Sequence, residues 1–420
     1  MVVKKSNSES KNTFSEKLKS FHKISHRHVL VLEADMPAAD AVRIAGYSDK
    51  VRRAGNQLVA VMGRRYRQLI KTKRYRKLQC LYKAAFKARD EKKCKELSKS
   101  LSGLREKFML TWNHCRRYMI KIARRFMLDA VFALTKAENV WSGVEKCLYG
   151  NGRFLHFAKP GDLPCIRAKQ YNRGIILKPS RDRLCFKFGG KVYGLKVKDR
   201  FEREETDALL YYLSHADSVD KKAVECREAT GNVIDTFRPC YASVVVKKIR
   251  GQFRVYLHIV VEGRAKLKLD RSGNRRHKLA AGTVGIDIGT QSIAYTSDNE
   301  VGLKNLAERG LGIWKAEKLE RMYYRAMDRS RRSTNPDNYN KDGTIKKGRK
   351  IWKYSKKYLR LKYLYTELCR KNAVNRKLAI NEEVNHIRSL GDVVVTEVKN
   401  SAKLMRRVKE TAKDKNGKFK

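Results

Sequence analysis

Apolar residues recur three and four positions apart from about residue 38 to residue 137, a stretch that contains no proline. Such spacing predicts a bundle of amphipathic helices. One helix face near the end of this stretch is apolar and is expected to pack in a core: Phe108, Trp112, Cys115, Met119 and Ile122. Other faces of the same helix carry cations: Arg116, Arg117, Lys121, Arg124 and Arg125.

A two-residue alternation, typical of strands, precedes and follows the helical stretch. Residues 28–33 alternate in this way and end before Pro37. Residues 154–263 contain the strand-like runs GIILKPS, RLCFKFGGKVYGLKV and YASVVVKKIRGQFRVYLHIVVEG. Arg250 and Gly251 divide the last run and predict a hairpin turn. These patterns predict an antiparallel β-barrel that the early strand joins, with the helices inserted into it.

The last third of the chain combines both patterns. Apolar residues alternate with small or polar ones at 284–288, and Gly289 turns the chain into a second short strand. Helical patterns follow at 314–332 and 353–390, with a polar loop between them. The continuous apolar run in GDVVVTEVKN then predicts a buried strand that delivers Glu397 at its end.

The charge of the chain is strongly positive. Lys and Arg number 97 against 43 Asp and Glu, which gives a net charge of +54. Like charge of this size opposes a compact state, and the phosphates of a nucleic acid would neutralise it with release of counterions. The excess is larger than solubility requires, and it is spread along the chain, unlike that of a membrane-binding amphipathic segment. Nucleic acid is therefore the predicted partner.

Targeting signals and cysteine motifs are absent from the sequence. It contains no run of about eighteen apolar residues, and no apolar stretch follows its basic N-terminal segment. We therefore expect no membrane span, no secretory signal, and a cytoplasmic, nucleoid-associated protein. The nine cysteines include no C-x-x-C pair. We expect reduced thiols instead of disulfides or a zinc ribbon in this stretch.

Two carboxylates, Asp287 and Glu397, lie on predicted apolar strands, where an ionised group is costly. On neighbouring strands, carboxylates about 5 Å apart would repel by roughly 3 kcal/mol at an effective dielectric constant of about 20. Mg²⁺ or Mn²⁺ would relieve that repulsion, and two such ions could clamp a scissile phosphate. In the alternative, Asp287 caps its turn and Glu397 pairs with a surface lysine. Spacing alone leaves both interpretations open.

The run GIDIGTQS has a further interpretation. It is similar to the first phosphate loop of sugar kinases and other actin-like ATPases, which would place Gly289 and Thr290 at the phosphates of ATP. Those proteins need a second aspartate–glycine loop and an adenosine motif, and neither follows residue 290. A small-molecule kinase also gains nothing from the charge excess, so this interpretation is disfavoured.

Four stretches together resemble the RuvC-type nuclease of TnpB, a transposon accessory protein related to the type V CRISPR effectors: VGIDIGTQSIAYTSDNE, KLERMYYRAMDRSRR, VVVTEVKN and RRVKETAKDKNGKFK. The resemblance is most specific over residues 283–420. It extends more weakly to the predicted barrel, which is similar to the wedge domain, and to the helical insertion, which matches the recognition lobe in position. It implies an RNA-guided DNA endonuclease with a guide RNA and a double-stranded target DNA.

The resemblance also implies roles for individual residues. Asp287 and Glu397 correspond to the first two acids of a catalytic site that binds Mg²⁺ or Mn²⁺, and Asn400 follows the second acid. Further candidates come from the residue pattern and not from the resemblance. Tyr241, Phe253 and Tyr256 on the predicted barrel are candidates for base stacking, with core packing equally open. The candidate nucleic-acid contacts are Arg116, Arg117, Lys121, Arg124, Arg125, Lys247 and Lys248.

The predicted fold is multidomain α+β. An antiparallel β-barrel, the wedge, carries an inserted helical recognition lobe and is followed by a partial RNase H-like (RuvC) α/β domain. The predicted boundaries are 1–37 for the basic N-terminal segment and first wedge strand, 38–150 for the lobe, 151–281 for the wedge and 282–420 for the RuvC-like domain. The sequence indicates no oligomeric state.

The family's third acid and its zinc-ribbon cysteines lie downstream of the second acidic motif, and the chain ends at Lys420. We therefore expect a C-terminally incomplete nuclease domain, Zn²⁺ only in the part that is missing, and little or no cleavage by these 420 residues. The alternative function is that of a nuclease-inactive, TnpB-like repressor or transposon remnant that binds RNA and DNA.

Overall fold

The computed structural model describes residues 27–397, apart from 151, 153, 181–182, 215–236, 264, 290–291 and 306–310 and the side chains of 311–315. The chain forms two compact units, residues 1–267 and 268–420. The four predicted domains are finer than this division and stay a prediction.

Five helices follow one another in the first unit: α1 (Ala38–Lys71), α2 (Lys73–Lys87), α3 (Glu91–Lys107), α4 (Trp112–Phe126) and α5 (Ala130–Tyr149). Side chains cap three of them at the N-terminus, because Thr72, Asp90 and Asp129 accept hydrogen bonds from backbone N–H groups of the first turn. The helices predicted between residues 38 and 137 are therefore present, and the last one continues to Tyr149.

The helices enclose a core of their own. On α4, Cys115 and Met119 are fully buried, Ile122 is buried and Trp112 packs against the same cluster. Phe108 also packs there, but it caps the C-terminus of α3, and the chain turns at Met109 (φ 53°) before α4 begins. The predicted apolar face is therefore confirmed for the four α4 residues and is wrong for Phe108, which belongs to the preceding helix. Burial raises the pKa of the Cys115 thiol to about 12, as expected for a thiol that serves packing.

Eight strands of the first unit form one antiparallel sheet in the order β2-β7-β8-β1-β6-β5-β4-β3. Their bounds are β1 (Arg27–Asp35), β2 (Ile166–Arg167), β3 (Asn172–Arg173), β4 (Ile175–Ser180), β5 (Arg183–Phe188), β6 (Lys191–Lys196), β7 (Arg238–Ile249) and β8 (Gln252–Glu262). The early strand β1 lies between β8 and β6, so α1–α5 are inserted within the sheet as predicted. The sheet is curled into a half-barrel: no ladder between β2 and β3 closes it within the described residues.

The hairpin of β7 and β8 turns at the predicted position. Ile249 pairs with Gln252, and both residues between them have positive φ, 51° at Arg250 and 82° at Gly251. Two successive positive φ values suit the right-handed twist of the flanking strands. A sixth helix, α6 (Arg200–Ser214), contacts β4, β5 and β7; the mixed, acidic pattern of this segment did not indicate it.

The second unit contains a four-stranded sheet in the order β11-β10-β9-β12 and two long helices. Its elements are β9 (Thr283–Ile288), β10 (Ser292–Thr296), β11 (Val301–Asn305), α7 (Leu311–Thr334), α8 (Lys356–Arg388) and β12 (Val393–Thr396), with a short 3-10 helix at Pro336–Asn338. The strand β12 pairs with β9 in parallel, and the other pairs are antiparallel. The mixed α/β character agrees with the sequence; the RuvC assignment stays a prediction.

One sequence expectation is wrong: β12 is not a buried strand. Val393, Val394 and Val395 are 54%, 47% and 55% exposed. Among the described strands, β12 lies at the edge of the sheet with one neighbour. The buried cluster of this unit reaches only Val284, Tyr295 and Leu390 among the described side chains. An apolar run is therefore compatible with an edge strand that no described helix covers.

Two other expectations concern membrane spans and thiols. None of the helices in the described parts of the chain is long and apolar enough to cross a membrane. The eight cysteines within the described ranges are all free thiols: Cys80, Cys94, Cys115, Cys147, Cys165, Cys185, Cys240 and Cys369.

Acid should destabilise the first unit through two histidines of the sheet. Burial lowers the pKa of both His28 and His258, outweighing the hydrogen bond to Gly263 O at His28. The nearby charges are Glu205, 3.5 Å from His28 Nε2, and Lys247, which further lowers the pKa of His258. Because the unfolded chain then binds more protons, stability is present above the unfolded pKa of about 6.5 and is lost as the pH falls through the lower folded values.

We expect the melting temperature, followed by circular dichroism, to fall between pH 7 and pH 5.5, and to fall less in the double variant His28→Gln, His258→Gln. An equally steep fall in the double variant would contradict the assignment to these two histidines.

Candidate metal site and nucleic-acid-binding surfaces

The two predicted acids belong to adjacent strands. In the parallel ladder Val395 pairs with Gly285 and Thr396 with Ile286, so continuing the register by one residue puts Glu397 opposite Asp287. Adjacent strands lie about 4.8 Å apart, and residues at matching positions have their side chains on one face of a sheet. The fold thus pairs the two strands that lead to these carboxylates, although the whole α7–α8 segment separates them in sequence.

Both acids are exposed, which corrects the expectation that they lie in the interior of a sheet. The physical reason is their position, because Asp287 is the penultimate residue of β9 and Glu397 follows the edge strand β12. The cost of burying an ionised carboxylate therefore does not arise here. The extended register, which would place the two acids side by side, is the feature that a cation would stabilise.

The donor set fits a hard divalent cation that keeps part of its hydration. Mg²⁺ is commonly held by one or two carboxylates, with waters and substrate phosphates completing its coordination. Asp287 and Glu397 supply this number of carboxylates. Within the ranges that the structure describes, no group of three or more His, Cys, Asp or Glu side chains could hold a metal ion. Asn400 and Thr290, named from the sequence, lie outside the described residues.

The register of β12 is set at its beginning by a close backbone contact. A Cβ on Gly391 would meet Gly282 O at 2.6 Å and Val284 Cγ2 at 2.8 Å, so only glycine fits without displacing the backbone. Gly282 O accepts hydrogen bonds from the N–H groups of Asp392 and Val393, both at 3.1 Å. The Asp392 carboxylate in turn accepts one from Gly282 N–H at 3.1 Å.

These positioning residues were missed in the sequence. The available signal is the Gly391–Asp392 pair directly before an apolar run, a combination that marks a turn into a strand. Its partner, Gly282, lies far away in sequence, so only the fold shows that the two glycines meet.

A cluster of polar side chains connects β10 and β11 to α8. Tyr295 on β10 donates a hydrogen bond of 2.6 Å to Glu300, which raises the pKa of the tyrosine. His386 of α8 packs edge-on against the Tyr295 ring, with centroids 5.2 Å apart. Lys304 of β11 forms an ion pair of 3.1 Å with Glu383 of α8. These contacts hold α8, the helix that leads into β12, against β10 and β11.

The cations predicted on α4 are presented to solvent. The helix buries its apolar face, and the five cations are exposed: Arg116, Arg117, Lys121, Arg124 and Arg125. None of them forms an ion pair within the described part of the chain. A rigid helix with unneutralised guanidinium and ammonium groups is suited to phosphate contacts.

The two lysines predicted on the hairpin are exposed and lie over aromatic rings. Lys247 Nζ is 4.8 Å from the centroid of the Tyr256 ring, and Lys248 Nζ is 5.6 Å from that of Phe253. Arg167 covers the Tyr241 ring in the same way at 4.1 Å. The three aromatics suggested for base stacking therefore each have a cation over one face, and each side chain is partly buried.

Comparison with solved structures finds a likeness to a chain of the Cas12f1–sgRNA–target DNA complex determined by cryo-EM. The TM-score is 0.38 and the sequence identity 11%, over 89% of this chain and 81% of that chain. Comparison with protein-family models gives no match, and comparison with curated proteins gives none. A likeness of this size carries no argument about function. The function of this chain is therefore inferred from its own strand register and charges.

We predict that Gly391→Ala destabilises the protein by about 1–3 kcal/mol, because the added methyl group meets the backbone of Gly282 and overpacks the start of β12. Chemical denaturation would measure the change. The control is Gly46→Ala within α1, where an added Cβ meets nothing within 4 Å. That variant should be neutral or slightly stabilising. A Gly391→Ala protein as stable as the control would show that the close contact does not constrain the register.

Proposed function

We propose that this chain is a TnpB-like, RNA-guided nucleic-acid-binding protein with a site for metal-dependent hydrolysis of a DNA phosphodiester bond. The observation that supports it is the parallel pairing of β12 with β9, whose register ends at Thr396 and Ile286, one residue before Glu397 and Asp287, in a chain with net charge +54. A polyanionic substrate suits the charge, and two carboxylates at one sheet edge suit a cation beside a phosphate. Guide RNA and target double-stranded DNA are the proposed partners.

In this proposal Asp287 and Glu397 hold Mg²⁺ or Mn²⁺. When bound, such a cation supplies Lewis-acid stabilisation of phosphate charge and lowers the pKa of a coordinated water. The chain's own contribution is positional. The Gly282–Gly391 contact sets the strand register, the two carboxylates bind the cation on one face, and the cations of α4 and β7 hold nucleic-acid backbone.

A second candidate is nucleic-acid binding without cleavage. It is favoured by the number of acids: in the described ranges the site has two carboxylates and no cluster of three potential ligands. A protein of this kind would act by occupying RNA or DNA. It predicts the same salt-dependent binding as the nuclease, without a divalent requirement.

Metal binding can be measured separately from activity. We expect Mn²⁺, followed by electron paramagnetic resonance, to bind the full chain, and Asp287→Asn or Glu397→Gln to weaken binding at least tenfold, because each removes a charged oxygen ligand. The matched control is Asp207→Asn, which removes one exposed carboxylate from α6 and should leave binding unchanged.

Equal Mn²⁺ affinity in all four proteins would overturn the metal site. Metal binding lost in the two site variants, together with no Mg²⁺-dependent cutting of a guide-matched DNA by the unaltered chain, would select the binding-only function.

The α4 cations should carry part of the nucleic-acid affinity. Replacing Arg117, Lys121 and Arg124 by alanine should reduce the slope of log K against log salt by about 2.7 for duplex DNA, since each lost phosphate contact removes about 0.9. Fluorescence anisotropy between 50 and 200 mM salt would measure the slope. The control removes three exposed cations of α2, Lys73, Arg74 and Lys77, and should change the slope less. Equal changes would mean that only bulk charge matters.

A further inference from the structure

The segment that joins α7 to α8, residues 335–355, is long but locally well structured; it is called the 335–355 loop below. Asn335 at its start is buried and spans its two ends. The Asn335 amide donates hydrogen bonds to Arg331 O and Lys353 O, at 2.9 and 2.8 Å, and accepts one from Lys353 N–H at 2.7 Å. Ser330 Oγ and Ser355 Oγ lie 2.8 Å apart beside it.

Further hydrogen bonds form the body of the loop. Asn338 donates from its side chain to Ile351 O at 2.9 Å and accepts the Lys346 N–H at its backbone oxygen at 3.0 Å. Asp342 accepts bonds from the N–H and hydroxyl of Thr344, which lower the pKa of this carboxyl. The loop backbone is therefore held in one arrangement by bonds within the loop and to the end of α7.

The loop displays more cations than it neutralises. It contains six Lys and Arg residues against Asp337 and Asp342, and one of these two carboxylates is engaged by Thr344. Five of the six cations have exposed side chains that form no ion pair with any residue in the described ranges: Lys341, Lys346, Lys347, Arg349 and Lys353. Fixed cations of this kind lose little conformational freedom of the backbone when they bind phosphates.

Apolar and aromatic groups lie next to these cations. Ile351 is 81% exposed and Tyr354 is 47% exposed. The Tyr354 ring stacks on Tyr358, with centroids 4.6 Å apart and an interplanar angle of 22°. By contrast, Tyr339 and Trp352 pack edge-on against each other, and Arg332 and Arg331 cover their faces. One aromatic pair thus stabilises the loop, while the other leaves a ring open to a ligand.

The loop is remote from the acid pair along the chain. The helix α8 that separates it from the segment entering β12 has 33 residues. At 1.5 Å per residue such a helix is about 50 Å long. The loop is therefore a site of its own.

We propose that the 335–355 loop is a preorganised binding element for single-stranded nucleic acid, with its cations on the phosphates and an unpaired base stacked on Tyr354. The proposal deepens the function proposed above, which it takes as its premise. Single-stranded backbone with accessible bases is the ligand that matches cations beside an exposed aromatic platform, since paired bases do not offer their faces for stacking.

The test uses the full chain with EDTA and three labelled probes of equal length: single-stranded DNA, single-stranded RNA and duplex DNA. In the variant Lys346→Ala, Lys347→Ala, Arg349→Ala, three lost contacts should reduce the slope of log K against log salt by about 2 for single strands. Between 50 and 200 mM salt this corresponds to about a 20-fold smaller loss of affinity than in the unaltered chain. The matched control removes Lys92, Lys93 and Lys95, which are exposed on α3.

Two more variants separate stacking and order from charge. Tyr354→Ala should weaken both single-stranded probes about tenfold and the duplex little, because only unpaired bases stack. Asn335→Ala keeps every cation but removes the bonds between the loop ends; it should lower affinity with an unchanged salt slope. Circular dichroism would confirm that each variant retains its helices.

Slopes equal to those of the α3 control, or equal losses on single strands and duplex with Tyr354→Ala, would overturn the loop proposal. Retained binding by the unaltered chain in that case would leave the proposed function intact. An unaltered chain that binds none of the three probes would instead refute the nucleic-acid function itself.

Discussion

The backbone of Gly391 lies against Gly282, and this contact determines how β12 pairs with β9. Side chains alternate between the two faces of a sheet, so a slip of one residue would send Glu397 to the face opposite Asp287. The Asp392 carboxylate reinforces the same register from the side chain. The proposed two-acid site thus depends on a backbone contact made several residues away from both acids.

The second constraint is the shortage of carboxylates. In the first unit several of them hold elements together: Asp40 binds Lys191 across to β6, and Glu33 of β1 pairs with Lys198 and Arg254. Carboxylates used in this way are not available to neutralise α4 or the β7 lysines. Exposed cations without an ion pair in the described residues are therefore numerous, and they include those of α4, the β7 lysines over aromatic rings and, in the second unit, those of the 335–355 loop. The arrangement suits a partner that supplies the negative charge.

The second unit has a small cluster of buried hydrophobic side chains, and many of its other hydrophobic side chains are exposed to solvent. Its described core comprises Val284, Tyr295 and Leu390 with Ile286 and Ile387 partly buried, whereas Val301 and Leu303 are 79% and 73% exposed. Polar contacts make up part of the difference. Tyr295 of β10 bonds to Glu300 in the turn that follows the strand, and Lys304 of β11 forms an ion pair with Glu383 of α8. Asn372 of α8 adds a bond of 2.6 Å to Glu320 of α7. The unit is held by such specific contacts more than by a deep core.

Local patterns in the sequence determined most elements of this protein. The helical spacing of α4 and the Arg250–Gly251 turn follow from short-range backbone and side-chain preferences, and the charge excess is a property of composition. The burial of individual side chains was less predictable from the sequence. The valines of β12 have the pattern of an interior strand, but they are exposed, because no described helix covers the faces of this strand, which has one neighbour among the described strands. Only the tertiary structure decided that β12 pairs in parallel with β9, in the register that leads toward Glu397 and Asp287, because strand register depends on which distant backbones can approach, here two glycines without Cβ atoms.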